Sequence, residues 1–367
     1  MIPFARVLKY ENIAPPKEEV KSFGASASYF SVLSTKGDLY VSGSTNISYF
    51  GVSNTTLTKI GDGIANAWYS LSGSDSVVIL KEGKYYQRGA YYGAGVSKTW
   101  YDLSTVMNSL FSKDPSAQLM DLQVTPSLYA LMSNGDLYAI GLNSSGQMGT
   151  GNTYTQFSWV LLGSNVKKFI AGQRTVVYLT NDGSIYGCGS NFNGTLLGAD
   201  RTTFFKIGTG VYDSLYCVGR SNIKNILMHN TVDNFWYGTG TNTVGRGGTL
   251  ANGNIVSRFT ATPANMYRNN NNSEEGNTSS IVIDGQLYIC GWNMWGQTGL
   301  GINANSNTDP FTIVPGATDV VFTLNTDQTS FYMNSSKEVY GCGYGSNDNM
   351  PGLNGQRVRY TKLVLPF

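Results

Sequence analysis

Short apolar runs recur along the chain and are separated by polar or glycine-rich turns. Residues 175–180 form one such run, residues 181–183 (Asn-Asp-Gly) form a turn, and residues 184–189 form a second run before a polar loop. Asn, Asp and Gly allow the positive φ of a tight turn, so the two runs predict a β-hairpin. Weaker runs at 203–207 and 211–216 follow, which gives four predicted strands in one unit.

The second strand of this hairpin contains the sequence Tyr-x-x-Gly, which repeats seven times along the chain. The seven tyrosines, called here the anchor tyrosines, are 46 to 52 residues apart: Tyr40, Tyr86, Tyr138, Tyr186, Tyr237, Tyr288 and Tyr340. Seven such units use nearly all of the 367 residues and leave no room for a second domain. The spacing therefore predicts one domain over residues 1–367, an all-β, seven-bladed β-propeller.

The two ends of the chain suggest how the ring closes. The seventh unit ends with residues 360–367, one strand short of the others, while a surplus strand at residues 20–23 precedes the first unit. An unpaired strand edge inside a ring is costly. We therefore expect the N-terminal strand to complete the last blade.

Two units contain a longer glycine motif that points to a family. Residues 136–151 read Asp-Leu-Tyr-Ala-Ile-Gly-Leu-Asn-Ser-Ser-Gly-Gln-Met-Gly-Thr-Gly, and residues 285–301 read Gly-Gln-Leu-Tyr-Ile-Cys-Gly-Trp-Asn-Met-Trp-Gly-Gln-Thr-Gly-Leu-Gly. Both closely resemble the repeat of the regulator of chromosome condensation family. The fourth unit matches in part, and the other four units keep only the Tyr-x-x-Gly anchor. The resemblance implies a rigid propeller that presents loops to partners, as do a GTPase exchange factor, ubiquitin-ligase modules, an ultraviolet receptor and a β-lactamase inhibitor.

The composition of the chain argues against several classes of function. Charged residues make up 13% of the chain with a net charge of +2, and no basic cluster predicts nucleic-acid binding. No run of 18 apolar residues predicts membrane insertion, and the first residues lack the apolar core of a signal peptide. With one histidine and no Cys-x-x-Cys pair, we expect no metal and no cofactor.

The chain also lacks the motifs of common enzymes. We find no Gly-x-Ser-x-Gly, no phosphate-binding loop and no His-Glu-x-x-His, and we predict that the protein is not an enzyme. His229 lies in a predicted strand and is expected to be structural. Cys188, Cys290 and Cys342 each follow an anchor tyrosine by two residues, and we expect them to be small buried side chains.

Two segments depart from the repeat. Residues 103–112 carry apolar side chains at helical spacing and predict a short amphipathic helix, capped by Ser104, on the rim. Its expected role is to cover a blade edge, and docking of a partner is the alternative. Residues 269–277 are rich in Asn and predict a polar loop.

Aromatic residues are unevenly distributed among the loops that follow the anchor glycines. The first, second, sixth and seventh units carry most of them: Tyr49, Phe50, Tyr91, Tyr92, Trp292, Trp295 and Tyr344. These units are contiguous in a closed ring, so the side chains are predicted to form an arc on one face. Such residues are typical of protein interfaces and of sugar-stacking platforms. The alternative is that they only pack against neighbouring loops.

The predicted function is that of a non-enzymatic structural or interaction propeller. Low charge and abundant Asn, Thr, Ser, Tyr and Gly are typical of bacteriophage virion proteins, such as tail, baseplate or capsid-associated components. Expected partners are other proteins of a large assembly or a host-surface glycan or protein. The location would be the virion, or the cytoplasm if the protein is not phage-encoded. A cytoplasmic regulator, such as a GTPase exchange factor or enzyme inhibitor, is the alternative, and a glycan-cleaving enzyme is a third possibility.

Overall fold

The computed structural model describes residues 17–25, 29–43, 54–70, 76–91, 95–192, 194–218, 225–240, 253–258, 278–326, 328–345, 350–351 and 355–367. The predicted polar loop at 269–277 lies outside these residues. The described chain forms antiparallel sheets, numbered here in chain order, and one short helix.

Each sheet is built from consecutive strands, as the hairpin pattern predicts. Sheet one has β1 (Val20–Ala25), β2 (Tyr29–Ser34), β3 (Leu39–Gly43) and β4 (Asn54–Gly61), and sheet two has β5 (Ile64–Tyr69), β6 (Ser76–Lys81), β7 (Lys84–Tyr91) and β8 (Gly95–Asp102). Helix α1 (Ser104–Phe111) follows. Sheet three has β9 (Leu119–Val124), β10 (Ser127–Met132), β11 (Leu137–Gly141) and β12 (Gln156–Gly163), and sheet four has β13 (Val166–Ala171), β14 (Thr175–Thr180), β15 (Ile185–Gly189) and β16 (Arg201–Gly208).

The second half of the chain continues the series. Sheet five has β17 (Tyr212–Val218), β18 (Asn225–Asn230), β19 (Phe235–Gly240) and β20 (Gly253–Arg258), and sheet six has β21 (Thr278–Ile283), β22 (Gln286–Asn293) and β23 (Ala304–Ile313). Sheet seven has β24 (Val320–Asn325), β25 (Thr329–Asn334), β26 (Val339–Tyr344) and β27 (Gln356–Lys362). Six of the seven anchor tyrosines lie on the third strand of a four-stranded sheet, and the seventh, Tyr288, lies on β22 of the three-stranded sheet.

Neighbouring sheets pack face to face through apolar clusters. First strands of neighbouring sheets contact one another, β1 with β5 and β24 and β13 with β17, so they lie toward the ring axis and the fourth strands lie on the rim. One cluster joins sheet seven to sheet one, where the rings of Phe23 and Phe322 are 4.9 Å apart and those of Phe30 and Phe331 are 5.4 Å apart. The first and last sheets therefore close the ring by side-chain packing.

The all-β propeller is confirmed, but two details of the prediction are wrong. Six sheets have four strands, while sheet six has three in the described part of the chain, so the structure has six complete blades and not seven. The N-terminal strand does not complete the last blade. β1 pairs with β2, Phe23 opposite Val32, and sheet seven takes all four strands from the C-terminal end of the chain. The predicted units start one strand too late along the chain. In the structure, each sheet begins with the strand that precedes the hairpin.

The Tyr-x-x-Gly anchor has a simple structural cause. The anchor tyrosine packs on the second strand of its own sheet, as in Tyr340 and Tyr332, whose ring centroids are 4.8 Å apart. In six of the seven units the anchor glycine has a positive φ, 102° at Gly189, and a Cβ there would lie 2.1 Å from the carbonyl oxygen of Arg174. No other residue fits this position without moving the backbone.

The predicted rim helix is present and covers the junction of sheets two and three. Met107 and Leu110 of α1 are buried, and the indole nitrogen of Trp159 on β12 donates a hydrogen bond to the carbonyl oxygen of Val106 at 2.9 Å. The predicted cap is wrong, because the carboxylate of Asp102, not Ser104, accepts the hydrogen bond from the first-turn backbone, the Ser104 amide, at 2.7 Å.

Candidate functional site: the loop surface of sheets six and seven

The loop after β22 is organised by one asparagine side chain. The Oδ1 atom of Asn293 accepts a hydrogen bond from the Thr298 amide at 3.1 Å, and its Nδ2 donates to the carbonyl of Ile302 at 3.0 Å. Asn143 in sheet three makes the same contacts with the Met148 amide and the carbonyl of Asn152. The asparagine of the long glycine motif therefore holds the loop that carries the predicted site residues.

The same loop crosses to the rim strand of the next sheet. The Gly301 amide donates to the carbonyl of Val358 on β27 at 2.7 Å, and Leu300 forms a β-bridge with Arg359. In sheet three, the Gly151 amide bonds to Thr202 on β16 in the same way. The long motif thus ties sheet three to sheet four and sheet six to sheet seven.

Trp295 and Tyr344 form the centre of this surface. Their rings are stacked, with centroids 4.8 Å apart and planes at 21°, and both side chains are half-buried. The Trp295 amide donates to Oε1 of Gln297, and Gln356 on β27 donates from Nε2 to the carbonyl of Met294 at 3.2 Å. The ring pair is therefore held from both sheets.

The border of the ring pair combines apolar and basic groups. Met294 is 43% exposed and Ile302 is 60% exposed. Arg359 is exposed on β27, and its guanidinium lies against Gly301. We call Trp292, Met294, Trp295, Ile302, Tyr344 and Arg359 the loop surface. This combination of aromatic, Met and Arg side chains is enriched in protein interfaces.

The structure brings together part of the predicted arc. Trp295 and Tyr344 are in direct contact, and Trp292 lies on β22, just before the loop that carries Trp295. Tyr49, Phe50 and Tyr92 lie outside the described residues, and only the backbone of Tyr91, the last residue of β7, is described. The contact between Trp295 and Tyr344 also agrees with the alternative that these aromatics pack against neighbouring loops.

Sequence reasoning missed the most exposed aromatic side chains. Phe192 is 89% exposed, Phe157 81% and Tyr154 76%; Phe157 lies on β12, Tyr154 shortly before it and Phe192 after β15, away from the predicted arc. The sequence does not predict this exposure, because a Phe on an outer strand gives the same sequence pattern whether or not another part of the chain covers its side chain. Apolar exposure is therefore not confined to sheets six and seven.

The titratable residues singled out in the sequence lie on separate strands: Cys188 on β15, His229 on β18 and Cys342 on β26. No group of three His, Cys, Asp or Glu side chains is close enough to hold a metal ion among these residues. His229 on β18 lies 2.8 Å from Asp213 through Nδ1 and 3.0 Å from the Asn234 side-chain oxygen through Nε2. Cys188, Cys290 and Cys342 are buried and are not joined in disulfides. Burial raises the pKa of Cys188 and of Cys342 well above the ordinary range.

Among the helices of the described residues, none has the length and apolar character needed to span a bilayer.

Sequence comparison finds two relatives among curated proteins and no matching family model. The chain is 24% identical over 232 residues to the ultraviolet-B receptor UVR8 of Arabidopsis thaliana, a match that covers 60% of the chain and 52% of the receptor. It is 34% identical over 84 residues to an RCC1 repeat-containing protein of Dictyostelium discoideum, covering 21% of the chain and 17% of that protein. The match thus spans about half of the receptor's length.

Solved structures agree on the fold. The structure of Prp20p from Saccharomyces cerevisiae, a protein with reported binding properties toward Gsp1p and histones, superposes with a TM-score of 0.70 at 14% identity and covers 86% of this chain and 81% of that one. Human WBSCR16 superposes with a TM-score of 0.64 at 13% identity and covers 85% of each chain. In its repeat motif, its sequence matches and its fold, the chain is thus similar to proteins of the RCC1-repeat family.

Proposed function

We propose that this chain is a non-enzymatic interaction propeller that binds another protein through the loop surface. One observation carries the proposal: the stacked pair of Trp295 and Tyr344 lies beside exposed Met294 and is fixed by hydrogen bonds from both sheets. Rigid aromatic side chains lose little conformational entropy on binding, and residues that dominate binding energy are enriched in Trp, Tyr and Arg.

The charge of the border favours a partner with carboxylates. Arg357 and Arg359 lie on β27, the strand whose Gln356 pairs with Tyr344, and Gly301 brings the loop within reach of Arg359. A guanidinium pairs well with a carboxylate because it can donate two parallel hydrogen bonds. The proposed partner is thus a protein surface with an apolar centre and at least one acidic residue. A host-surface glycan, which would stack on the same rings, is the alternative ligand.

The proposed setting is a virion, with the chain as a tail, baseplate or capsid-associated component. Support comes from composition: charged residues are 13% of the chain, and 44 glycines and 24 tyrosines are present. If the chain is encoded by a phage, it is carried within the particle. If it is encoded by a cellular genome, it acts in the cytoplasm.

Co-sedimentation with particles from the native source tests the proposal. The wild-type chain is expected in the particle fraction, and Trp295→Ala is expected to reduce its recovery there at least about tenfold. Phe235→Ala is the matched control, because Phe235 is an aromatic residue, 36% exposed, at the hairpin end of sheet five. Equal recovery of wild type and Trp295→Ala, with both folded, would exclude the loop surface.

A cytoplasmic regulator is the second candidate, and the shared ring fold favours it. Prp20p, the neighbour with a TM-score of 0.70, is described as binding Gsp1p. By analogy, this chain would bind a small GTPase and accelerate nucleotide release. Release of a fluorescent nucleotide from candidate GTPases of the native source measures this activity. Acceleration without particle association would support the regulator and contradict the virion setting.

A further inference from the structure

The junction between sheets seven and one differs from the other junctions of the ring. Elsewhere a connector leads from the rim strand of one sheet to the next sheet, whereas sheets seven and one are not consecutive in the sequence. At four junctions the first residue of the next sheet also donates its amide to the turn glycine of the sheet before: Ile64 to Gly37, Val166 to Gly135, Tyr212 to Gly183 and Val320 to Gly285. Val20 of β1 makes no such backbone bond to the turn of sheet seven, and both lie in the described part of the chain.

The segment that follows β27, residues 363–367, begins as the connectors of other sheets do. Leu363 is buried, and its amide donates a hydrogen bond at 2.8 Å to the carbonyl of Val339, the residue before the anchor tyrosine of sheet seven. Leu103 and Val314, which begin the connectors after sheets two and six, are also buried and make the same bond at 2.8 Å. Each belongs to the apolar cluster of the junction that its connector spans. Leu363 belongs in the same way to the cluster between sheets seven and one.

The rest of this segment reaches sheet one. Leu365 and Phe367 pack against the cluster between sheets seven and one, and the ring of Phe367 lies 5.9 Å from that of Tyr40, the anchor tyrosine of sheet one. In sheet seven the anchor ring stacks on Tyr332 of the facing strand, whereas Val32 lies opposite Tyr40. Phe367 therefore gives Tyr40 an aromatic neighbour from the segment after sheet seven. The segment thus follows the path of a connector and ends on the next sheet.

We infer that residues 363–367 are a clasp that keeps the ring closed, and that the ring opens between sheets seven and one when the clasp is released. At the other junctions the chain itself spans the two sheets, so they stay close even when their packing loosens. Opening between sheets seven and one breaks only side-chain packing and the docking of the clasp. Leu365 and Phe367 are half-buried, and Val364 beside them is 74% exposed. A segment held by so few buried groups is released at a lower free energy than that of global unfolding.

Thiol labelling of the full chain, read by peptide mass spectrometry, measures opening of this junction. Ala25→Cys places a reporter thiol in the cluster between sheets seven and one, where Ala25 is 1% exposed, and the native Cys188 reports on the junction of sheets three and four. On this background, Phe367→Ala should accelerate labelling at position 25 at least about tenfold and labelling of Cys188 less than about twofold. Val364→Ala is the matched control on the same segment and should change either rate by less than about twofold.

Two outcomes overturn the clasp. Equal acceleration at position 25 and at Cys188 would mean that Phe367→Ala destabilises the whole ring, and unchanged labelling at position 25 would mean that the segment does not hold the junction. A circular dichroism melt checks the folding of each variant. If Ala25→Cys does not fold, hydrogen exchange of residues 20–34 and 166–180 makes the same comparison, with acceleration expected only in the first peptide. These rates are measured without a binding partner, so failure of the clasp leaves the proposed function intact.

Discussion

The Sγ atom of Cys188 lies 3.0 Å from the carbonyl oxygen of Gln147, so the thiol on β15 contacts the loop of the preceding sheet. Cys342 makes the same contact with Gln297 at 3.3 Å. Gly299 of that loop also packs against the Cys342 thiol. Two of the cysteines that follow an anchor tyrosine therefore occupy an inter-sheet contact in which only a small side chain fits.

These two thiols should be unreactive in the folded protein. The thiolate is the nucleophile, and burial raises the pKa of both Cys188 and Cys342. We expect alkylation by iodoacetamide at pH 8 to be at least about a hundredfold slower in the native chain than in urea. Peptide mass spectrometry measures each site separately. Rapid labelling of Cys188 under native conditions would show that the sheets separate readily.

The anchor glycines and the turn glycines should tolerate alanine very differently. At Gly189, with φ 102°, an added Cβ meets the backbone oxygen of Arg174, whereas at Gly83, with φ 74°, it meets no atom within 4 Å. Gly83→Ala should cost about 1 kcal/mol from its left-handed backbone alone. Gly189→Ala should cost more than about 3 kcal/mol, because the backbone must also move. Urea unfolding compares them, and equal losses would show that the overlap is relieved without cost.

Gln123 should stabilise the junction of sheets three and four. Its Oε1 accepts a hydrogen bond from the Ala171 amide at 2.9 Å, and its Nε2 donates to the carbonyl of Phe169 at 3.0 Å. Gln123→Ala removes both bonds and should lower the free energy of unfolding by about 1–3 kcal/mol. Gln118→Ala, at an exposed position before β9, is the control and should change it by less than about 0.5 kcal/mol. A loss no larger than that of the control would contradict this role for Gln123.

The spacing of the repeated units could be predicted from the sequence, but the strand at which each sheet begins could not. The period is readable because the anchor glycine has a positive φ in six of the seven units, and the anchor tyrosine recurs with it. The starting strand is not, since the apolar runs at 20–25 and 166–171 look alike wherever the unit is taken to begin, and only the pairing of Phe23 with Val32 assigns β1 to sheet one. Exposure on the rim was equally unreadable, because Phe157 and the buried Trp159 lie on the same short strand.

Glu338 should make the stability of sheet seven depend on acid pH. Hydrogen bonds from Lys362, Asn334 and Tyr340 lower the pKa of this carboxyl from 4.5 to about 2. A depressed pKa means that the contribution is complete above pH 4.5 and is lost as the pH falls toward 2. Glu338→Gln should therefore lower the melting temperature at pH 7, by at most about 3 °C because the pair is on the surface.

The pH series separates this effect from a general loss of packing. The difference in melting temperature between wild type and Glu338→Gln should shrink between pH 4.5 and pH 2, because the wild-type carboxyl becomes protonated over this range. Differential scanning calorimetry at three pH values measures it. A difference that persists at pH 2 would mean that the variant disturbs the sheet for another reason.

Stacking of Trp295 on Tyr344 should couple the two sheets of the loop surface. The ring centroids are 4.8 Å apart, and one ring belongs to the loop of sheet six and the other to β26 of sheet seven. A double-mutant cycle with Trp295→Ala and Tyr344→Ala should give a coupling energy of about 0.5–1.5 kcal/mol in unfolding, as for other aromatic pairs. Trp295→Phe should restore part of the coupling, because it keeps an aromatic ring over Tyr344. Additive single-variant effects would show that the two rings stabilise their own sheets independently, and the loop surface would then lack the rigidity on which its proposed binding role depends.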